Sequence, residues 1–326
     1  MVIEQVTSAQ NPKIKELLAL QEKSRLRRER GLFVVEGRRE LEHCLEAGYT
    51  LDTVFYCPAI YGSVLGGQDG RQLRGADRFT PSGECPQLSA ALAFDRPAPS
   101  GKTVTEPEGA VRGREHSPEG VKLSAPGTVT AFSGVRIVEV TPELYGKIAY
   151  RGGTEGIMAE VRARNLTLED LALQPNPLIV VLESVEKPGN LGAVLRSADA
   201  AGADAVIICD PLTDLYNPNL IRSSLGGIFT VPCVATDSPA AIAWLKAHGI
   251  RILTAQLQDS DWYYDTDMRA GTAIVIGTES TGLTDSWRAA ADAHIRIPML
   301  GRLDSLNASV SAAILLFEAV RQRHTR

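Results

Sequence analysis

The chain has 326 residues, with 34 Lys and Arg against 39 Asp and Glu, a net charge of −5 and 44% hydrophobic residues. At roughly 150 residues per domain this length holds about two domains with sizeable cores. The balanced charge excludes a disordered chain and a histone-like coat of positive charge. No apolar run approaches the roughly 18 residues that cross a bilayer, the longest including Leu178 to Leu182 and Ala205 to Cys209, so no membrane partner is expected. The first residues, MVIEQVTSAQNPKIKELL, contain no apolar core of a secretory signal. Cys44, Cys57, Cys85, Cys209 and Cys233 are odd in number and widely spaced, with no CxxC pair or neighbouring His cluster. No metal site or disulfide framework is expected, and the reading is a cytoplasmic protein.

From Asn11 to Arg30, Ile14, Leu17, Leu18, Leu20 and Leu26 recur mostly at helical spacing and Gly31 supplies a stop, which predicts one helix. Leu32 to Val35 reads as a strand, Arg38 to Ala47 as a helix closed by Gly48, and Thr53 to Tyr56 as a second strand. Between Lys23 and Arg39 stand seven Lys or Arg against two Glu, a local excess hidden by the acidic total. Backbone phosphates of a nucleic acid are the natural counter-charge, which makes Lys23, Arg25, Arg27, Arg28 and Arg30 candidate RNA contacts. A solvated helix face is the alternative.

The pattern fails from Gly62 to Gly134, where Gly and Pro supply 12 and 7 of 73 residues. That segment reads as a disordered insertion within the first domain, residues 1–166. Order resumes with a strand at Val135 to Val140, a helix at Pro142 to Ala149 and a strand at Gly156 to Val161. Residues 167–176, with Pro175 and Pro177 closely spaced at their end, read as a linker.

From 177 to 326 the character changes. Leu178 to Leu182, Ala205 to Cys209, Ile250 to Ala255, Ala273 to Ile276 and Ile295 to Ile297 are continuous apolar runs. Several are separated by helical stretches. Such runs fit a parallel sheet covered on both faces, an α/β fold whose ligand lies at the loops after the strand carboxyl ends. Cys209 and Cys233 read as small buried residues at strand ends, without the adjacent His that nucleophilic base chemistry requires.

Three segments carry the chemistry. In the first, Glu183 to Asp199, a strand passes through Gly189 and Gly192 into a helix bearing Asn190 and Arg196, the latter a charge expected to need a partner. The loop lacks GxGxxG and GxxxxGK[ST], so a dinucleotide or P-loop site is poorly supported. In the second, Ala273 to Leu283, an apolar strand enters a turn flanked by Gly277 and Gly282 with Glu279 at its tip. In the third, Pro298 ends a strand and Asp304 or Ser305 is placed to cap a terminal helix. Leu306, Val310, Ala313, Ile314 and Phe317 make one apolar face of that helix, and Ala308, Ala312, Leu315, Leu316 and Ala319 make it apolar almost all round. A helix of this kind is deeply buried or half of a subunit interface, and the interface is expected.

In this order the segments resemble the signature motifs of the SpoU (TrmH-like) branch of the SPOUT methyltransferases. NxGxxxR falls at Asn190, Gly192 and Arg196, GxExxG at Gly277, Glu279 and Gly282, and IPMxGxxxSLNxSV from Ile297 to Val310. Ser223 to Gly227 is similar to the family as well. Thr278, Ser280 and Ser311 depart from its common residues, as does the insertion. The resemblance implies transfer of a methyl group from S-adenosylmethionine to a ribose 2′-hydroxyl of ribosomal or transfer RNA. It also implies a C-terminal sheet domain with a deep trefoil knot, and an N-terminal small α/β domain related to RNA-binding ribosomal proteins. Asn190, Arg196, Glu279, Ser305 and Asn307 inherit the catalytic roles. Gly277, Ile297, Met299 and Leu306 inherit the cofactor contacts, and the terminal helix a homodimer interface. Ribosomal RNA is the expected substrate, with transfer RNA or a catalytically idle RNA-binding relative as alternatives. The family casts Arg196 as general base; a guanidinium remains protonated in ordinary settings, so a phosphate clamp is the physically easier role.

Overall fold

The structure is a computed structural model that describes residues 3–65, 134–150, 155–278 and 280–324, side chains of 62–65 excepted. Most of the expected insertion and Glu279 lie outside the described residues.

The first unit runs β1 (Ile3–Val6), α1 (Pro12–Glu22), α2 (Ser24–Arg30), β2 (Leu32–Glu36), α3 (Arg38–Glu46), β3 (Leu51–Tyr56), α4 (Pro58–Leu65), β4 (Arg136–Val140), α5 (Pro142–Ile148) and β5 (Ile157–Arg162). Its five strands lie in the order β1-β4-β3-β5-β2. β4 is parallel to β1 and β3, and β5 is antiparallel to β3 and β2. Two expectations need correction. The single helix expected over Asn11 to Arg30 is two, because Lys23 takes an extended conformation between them. Asn11 caps α1 by accepting from the Lys13 N–H, and Gly31 closes α2 at φ 61°. The expected insertion also begins too early, since residues to Leu65 complete α4.

A 3₁₀ turn at Leu168–Asp170 leads into the second unit. It runs β6 (Leu178–Glu183), α6 (Pro188–Ala201), β7 (Ala205–Cys209), α7 (Pro218–Ser223), α8 (Gly227–Thr230), β8 (Cys233–Thr236), α9 (Ser238–Ala247), β9 (Arg251–Ala255), β10 (Asp261–Trp262), β11 (Thr272–Ile276), α10 (Asp285–Ala290), β12 (Ala293–Arg296) and α11 (Ala308–His324). All seven strands are parallel, in the order β10-β12-β9-β11-β6-β7-β8. β6, β7 and β11 are buried along their whole length, which is why they read as unbroken apolar runs.

One apolar cluster extends from Phe33, Leu41 and Tyr49 of the first unit through Tyr216, Leu220 and Phe229 to Val180, Leu182 and Ile274. The buried side chains of α11 that join it are Ala308, Ala312, Leu315, Leu316 and Ala319. The expected face is therefore split: Val310 and Phe317 lie on the outer side of α11, 46% and 48% exposed, while Leu306 precedes the helix. Among the described residues no helix is long and apolar enough to cross a membrane, and no His, Cys, Asp and Glu group could hold a metal ion.

Candidate active site

The strand carboxyl ends of β9, β11 and β12 open into a cleft of about 330 Å³, within the range of ligand pockets. Gly277, Ile297, Met299, Ser305 and Leu306 line it, so the four residues assigned to the cofactor and one of those assigned to catalysis share one space. Gln256, Leu257 and Gln258 after β9, together with Thr278, Arg288, Arg296 and Ser311, complete the walls. Of these, sequence reasoning named only Thr278 and Ser311, as departures from the family's common residues, and none as a site residue. The rule that ligands lie beyond strand carboxyl ends identifies the Gln256 to Gln258 loop once β9 is recognised.

The second motif folds as a tight turn. Thr278 N–H donates to Gly282 O at 3.3 Å and Gly282 N–H returns to Thr278 O at 3.1 Å. The Thr278 and Thr281 hydroxyls are 2.7 Å apart. A Cβ on Gly277 would stand 2.4 Å from the Gly282 carbonyl carbon and oxygen, so glycine alone permits this approach. Behind the turn, the Glu183 carboxylate, 2% exposed, accepts from Thr284 N–H at 2.9 Å and from the Thr284 hydroxyl at 2.6 Å. Ser238 donates to Asp210 at 2.6 Å and accepts from the Trp287 indole at 2.9 Å. This network, in which Glu183, Ser238 and Trp287 are buried and Asp210 and Thr284 lie at the surface, anchors the carboxyl-terminal end of the turn.

The first and third motifs meet directly. The Asn307 side-chain amide donates to Asn190 Oδ1 at 3.1 Å. Asn307 Oδ1 accepts from Ser309 N–H at 3.0 Å and from the Ser309 hydroxyl at 2.6 Å. Asn307 is thus the cap of α11, in place of the expected Asp304 or Ser305, and the cap fixes which side of its amide faces Asn190. Gly192 lies against α7, where a Cβ would come within 2.0 Å of the Ser223 hydroxyl. Arg196 is exposed and makes no ion pair among the described residues, so the internal partner expected for its charge is not needed.

The candidate RNA contacts divide. Lys23, Arg25, Arg28 and Arg30 are exposed on and beside α2. Arg25 pairs with Glu29 at 2.6 Å and Arg30 with Glu16 at 3.2 Å. Arg27 is a correction: it is 4% exposed, bound to Asp214 of the second unit at 2.5 Å, and cannot meet a phosphate. Cys209 and Cys233 are buried, and burial pushes both thiols up to about 12, which removes them as nucleophiles at neutral pH.

The pocket also fits the cofactor implied by the motifs. Its walls combine apolar Ile297, Met299 and Leu306 with the polar side chains of Gln256, Gln258, Ser305 and Ser311, a mixed lining of the kind that suits a nucleoside.

Comparison with known proteins agrees. Residues 177–317 match the SpoU rRNA Methylase family and residues 11–78 the MRM3-like substrate binding domain. The 23S rRNA (guanosine-2′-O-)-methyltransferase RlmB of Vibrio vulnificus is 36% identical over 196 residues, 58% of this chain and 79% of that protein. A 23S rRNA (uridine(2479)-2′-O)-methyltransferase of Streptomyces viridochromogenes is 36% identical over 163 residues. RlmP of Bacillus subtilis, a 23S rRNA (guanosine(2553)-2′-O)-methyltransferase, is 34% identical over 139. The match spans 56% of the length of each of the latter two and 48% and 43% of this chain. A crystal structure of an RNA 2′-O ribose methyltransferase superposes with a TM-score of 0.69 at 32% identity, covering 98% of this chain and 99% of that one. An S-adenosylmethionine-bound rRNA methyltransferase from Sinorhizobium meliloti, at 24% identity, shares the fold with a TM-score of 0.74 over 99% of both chains. The chain belongs to the SpoU (TrmH-type) family of RNA 2′-O-ribose methyltransferases.

Proposed function

We propose that this protein transfers the methyl group of S-adenosylmethionine to a ribose 2′-hydroxyl of ribosomal RNA in the cytoplasm. The observation that carries the reading is the Asn307 to Asn190 bond, which joins the first and third motifs beside the cleft lined by Gly277, Ile297 and Leu306. The bound cofactor supplies an electrophilic methyl, and what remains for the protein is positioning and removal of a proton. Gly277, Ile297, Met299 and Leu306 hold the nucleoside. The Asn190 and Asn307 pair, with Ser305, orients the ribose. Arg196, exposed on α6, clamps a phosphate through its guanidinium donors. The 2′-hydroxyl proton leaves through Glu279, water or the RNA. Lys23, Arg25, Arg28 and Arg30 hold the RNA backbone outside the cleft.

The protein acts as a homodimer through the outer face of α11. Val310 and Phe317, seven residues apart on that face and 46% and 48% exposed, are the apolar side chains it offers to a partner, and the preceding loop adds exposed Leu300 (97%) and Leu303 (75%). The trefoil threading that the family implies belongs to the same reading. It is supported by β12 pairing with β9 while α11 returns across β6 and β11 to pack on α6. Mapping 2′-O-methyl positions in RNA from cells with and without the gene tests the substrate. One ribosomal position that disappears supports the proposal, a transfer RNA position redirects it, and unchanged RNA of both classes defeats it.

A further inference from the structure

Arg27 has a use that methyl transfer does not explain. Its Nη1 donates to Leu20 O at 2.6 Å and Gln21 O at 3.1 Å, meeting the last carbonyls of α1, while its Nε donates to Asp214 Oδ2 at 2.5 Å in the other unit. Side-chain exposures are 4% and 12%. Asp214 Oδ1 accepts from Tyr216 N–H at 3.1 Å, and the Tyr216 ring stacks on Phe33 with centroids 4.1 Å apart and planes 15° from parallel. The Tyr216 hydroxyl also accepts from Arg164 N–H at 3.0 Å, where the chain leaves β5. A Cβ at Gly226 would reach 2.8 Å from His43, so the two units meet without slack.

The apolar contacts bring the units together but are non-directional and permit sliding. A charge-assisted pair shielded from water is directional, and displacement leaves a buried carboxylate uncompensated. The pair therefore sets the register. It also sits on α2, whose outward residues Arg25, Arg28 and Arg30 are the proposed phosphate contacts. We propose that Arg27 and Asp214 are positioning residues that lock the RNA-facing helix to the methyltransferase unit and so determine which ribose of a bound RNA reaches the cleft. This rests on the reading that RNA is held by α2.

Asp214→Asn removes the charge at constant size; Asp214→Glu retains it. In the full chain, Asp214→Asn is expected to raise amide hydrogen exchange at least tenfold in Leu32–Glu36 and in 216–229. Protection of β6 and β11 stays unchanged, and affinity for S-adenosylhomocysteine stays within twofold. The KM for RNA rises tenfold or more with kcat little affected, and methylation spreads to neighbouring riboses. Asp214→Glu stays close to the parent in all four readouts. The proposal is overturned if Asp214→Asn leaves interface exchange and methyl position unchanged, or if exchange rises equally throughout the chain, which marks a merely structural role. Should the parent methylate no RNA, the functional reading fails while the exchange measurement still decides whether the lock exists.

Discussion

Asn307 and Asn190, 117 residues apart in the chain, are joined by a hydrogen bond of 3.1 Å in which the Asn307 amide donates and Asn190 Oδ1 accepts. The other end of the Asn307 amide caps α11 through Ser309. One side chain therefore serves stability and geometry through different atoms, and these can be separated. Asn307→Asp preserves the capping oxygen and replaces the donor with an acceptor facing Asn190. Its melting temperature is expected near that of the parent, with kcat lower by about 10²–10³, the cost of losing one preorganised polar group. Asn307→Ala loses the cap as well, about 1 kcal/mol. Thermal unfolding and single-turnover rates of both variants check this; an Asn307→Asp enzyme of full activity contradicts the role.

Gly277 makes a comparable prediction for the cofactor. A Cβ there meets backbone atoms of Gly282 at 2.4 Å, so Gly277→Ala forces the turn open at a cost of about 1–3 kcal/mol. Affinity for S-adenosylhomocysteine is expected to fall at least tenfold by titration calorimetry. Gly301→Ala, where an added Cβ meets nothing within 4 Å, is the matched control and leaves affinity unchanged.

Glu160 gives the first unit a pH dependence. It lies in β5 at 4% exposure, and burial, then the carboxylates of Glu16 and Asp52, push its pKa up to about 7, against the hydrogen bond from Thr53 and the charge of Arg136. Because the folded pKa exceeds the unfolded value of 4.5, the folded state binds more protons between them, and stability falls as pH rises through that window. The contribution is fully present below pH 4.5 and lost above 7, amounting to about 3 kcal/mol at most. Urea unfolding from pH 5 to 7.5 is expected to show this decline in the parent and a flatter profile in Glu160→Gln; equal slopes contradict the assignment.

The outer face of α11 is tested by Phe317→Glu. Phe317 is 48% exposed, and α11 buries its opposite face, so the fold tolerates the charge. Sedimentation is expected to show a dimer for the parent and a monomer for the variant. A monomeric parent, or a variant that stays dimeric, rejects this face as the interface.

How much was legible in the sequence follows from physics at particular residues. β6, β7 and β11 were readable because both faces of each are covered, so every position is apolar. β1, with three of its four residues exposed, and the two-residue edge strand β10 carry no such signal. The break at Lys23 has no Pro or Gly to announce it. The buried face of α11 could not be chosen because the helix is apolar almost all round, and periodicity selects a face only when the other is polar. The cap was misplaced by two or three residues for a related reason: Asp304, Ser305 and Asn307 all suit the role, and the bond to Asn190 decides among them. Arg27 read as one basic residue among several, since its partner Asp214 lies 187 positions away.

The central claim is methyl transfer to ribose, and it is tested most directly with the purified chain, methyl-labelled S-adenosylmethionine and ribosomal RNA lacking modification. Nucleoside analysis of the product is predicted to place the label on a single 2′-O-methylated nucleoside, incorporated about 10²–10³-fold more slowly by Asn307→Asp. Label on a base, or no label above that variant, contradicts the account.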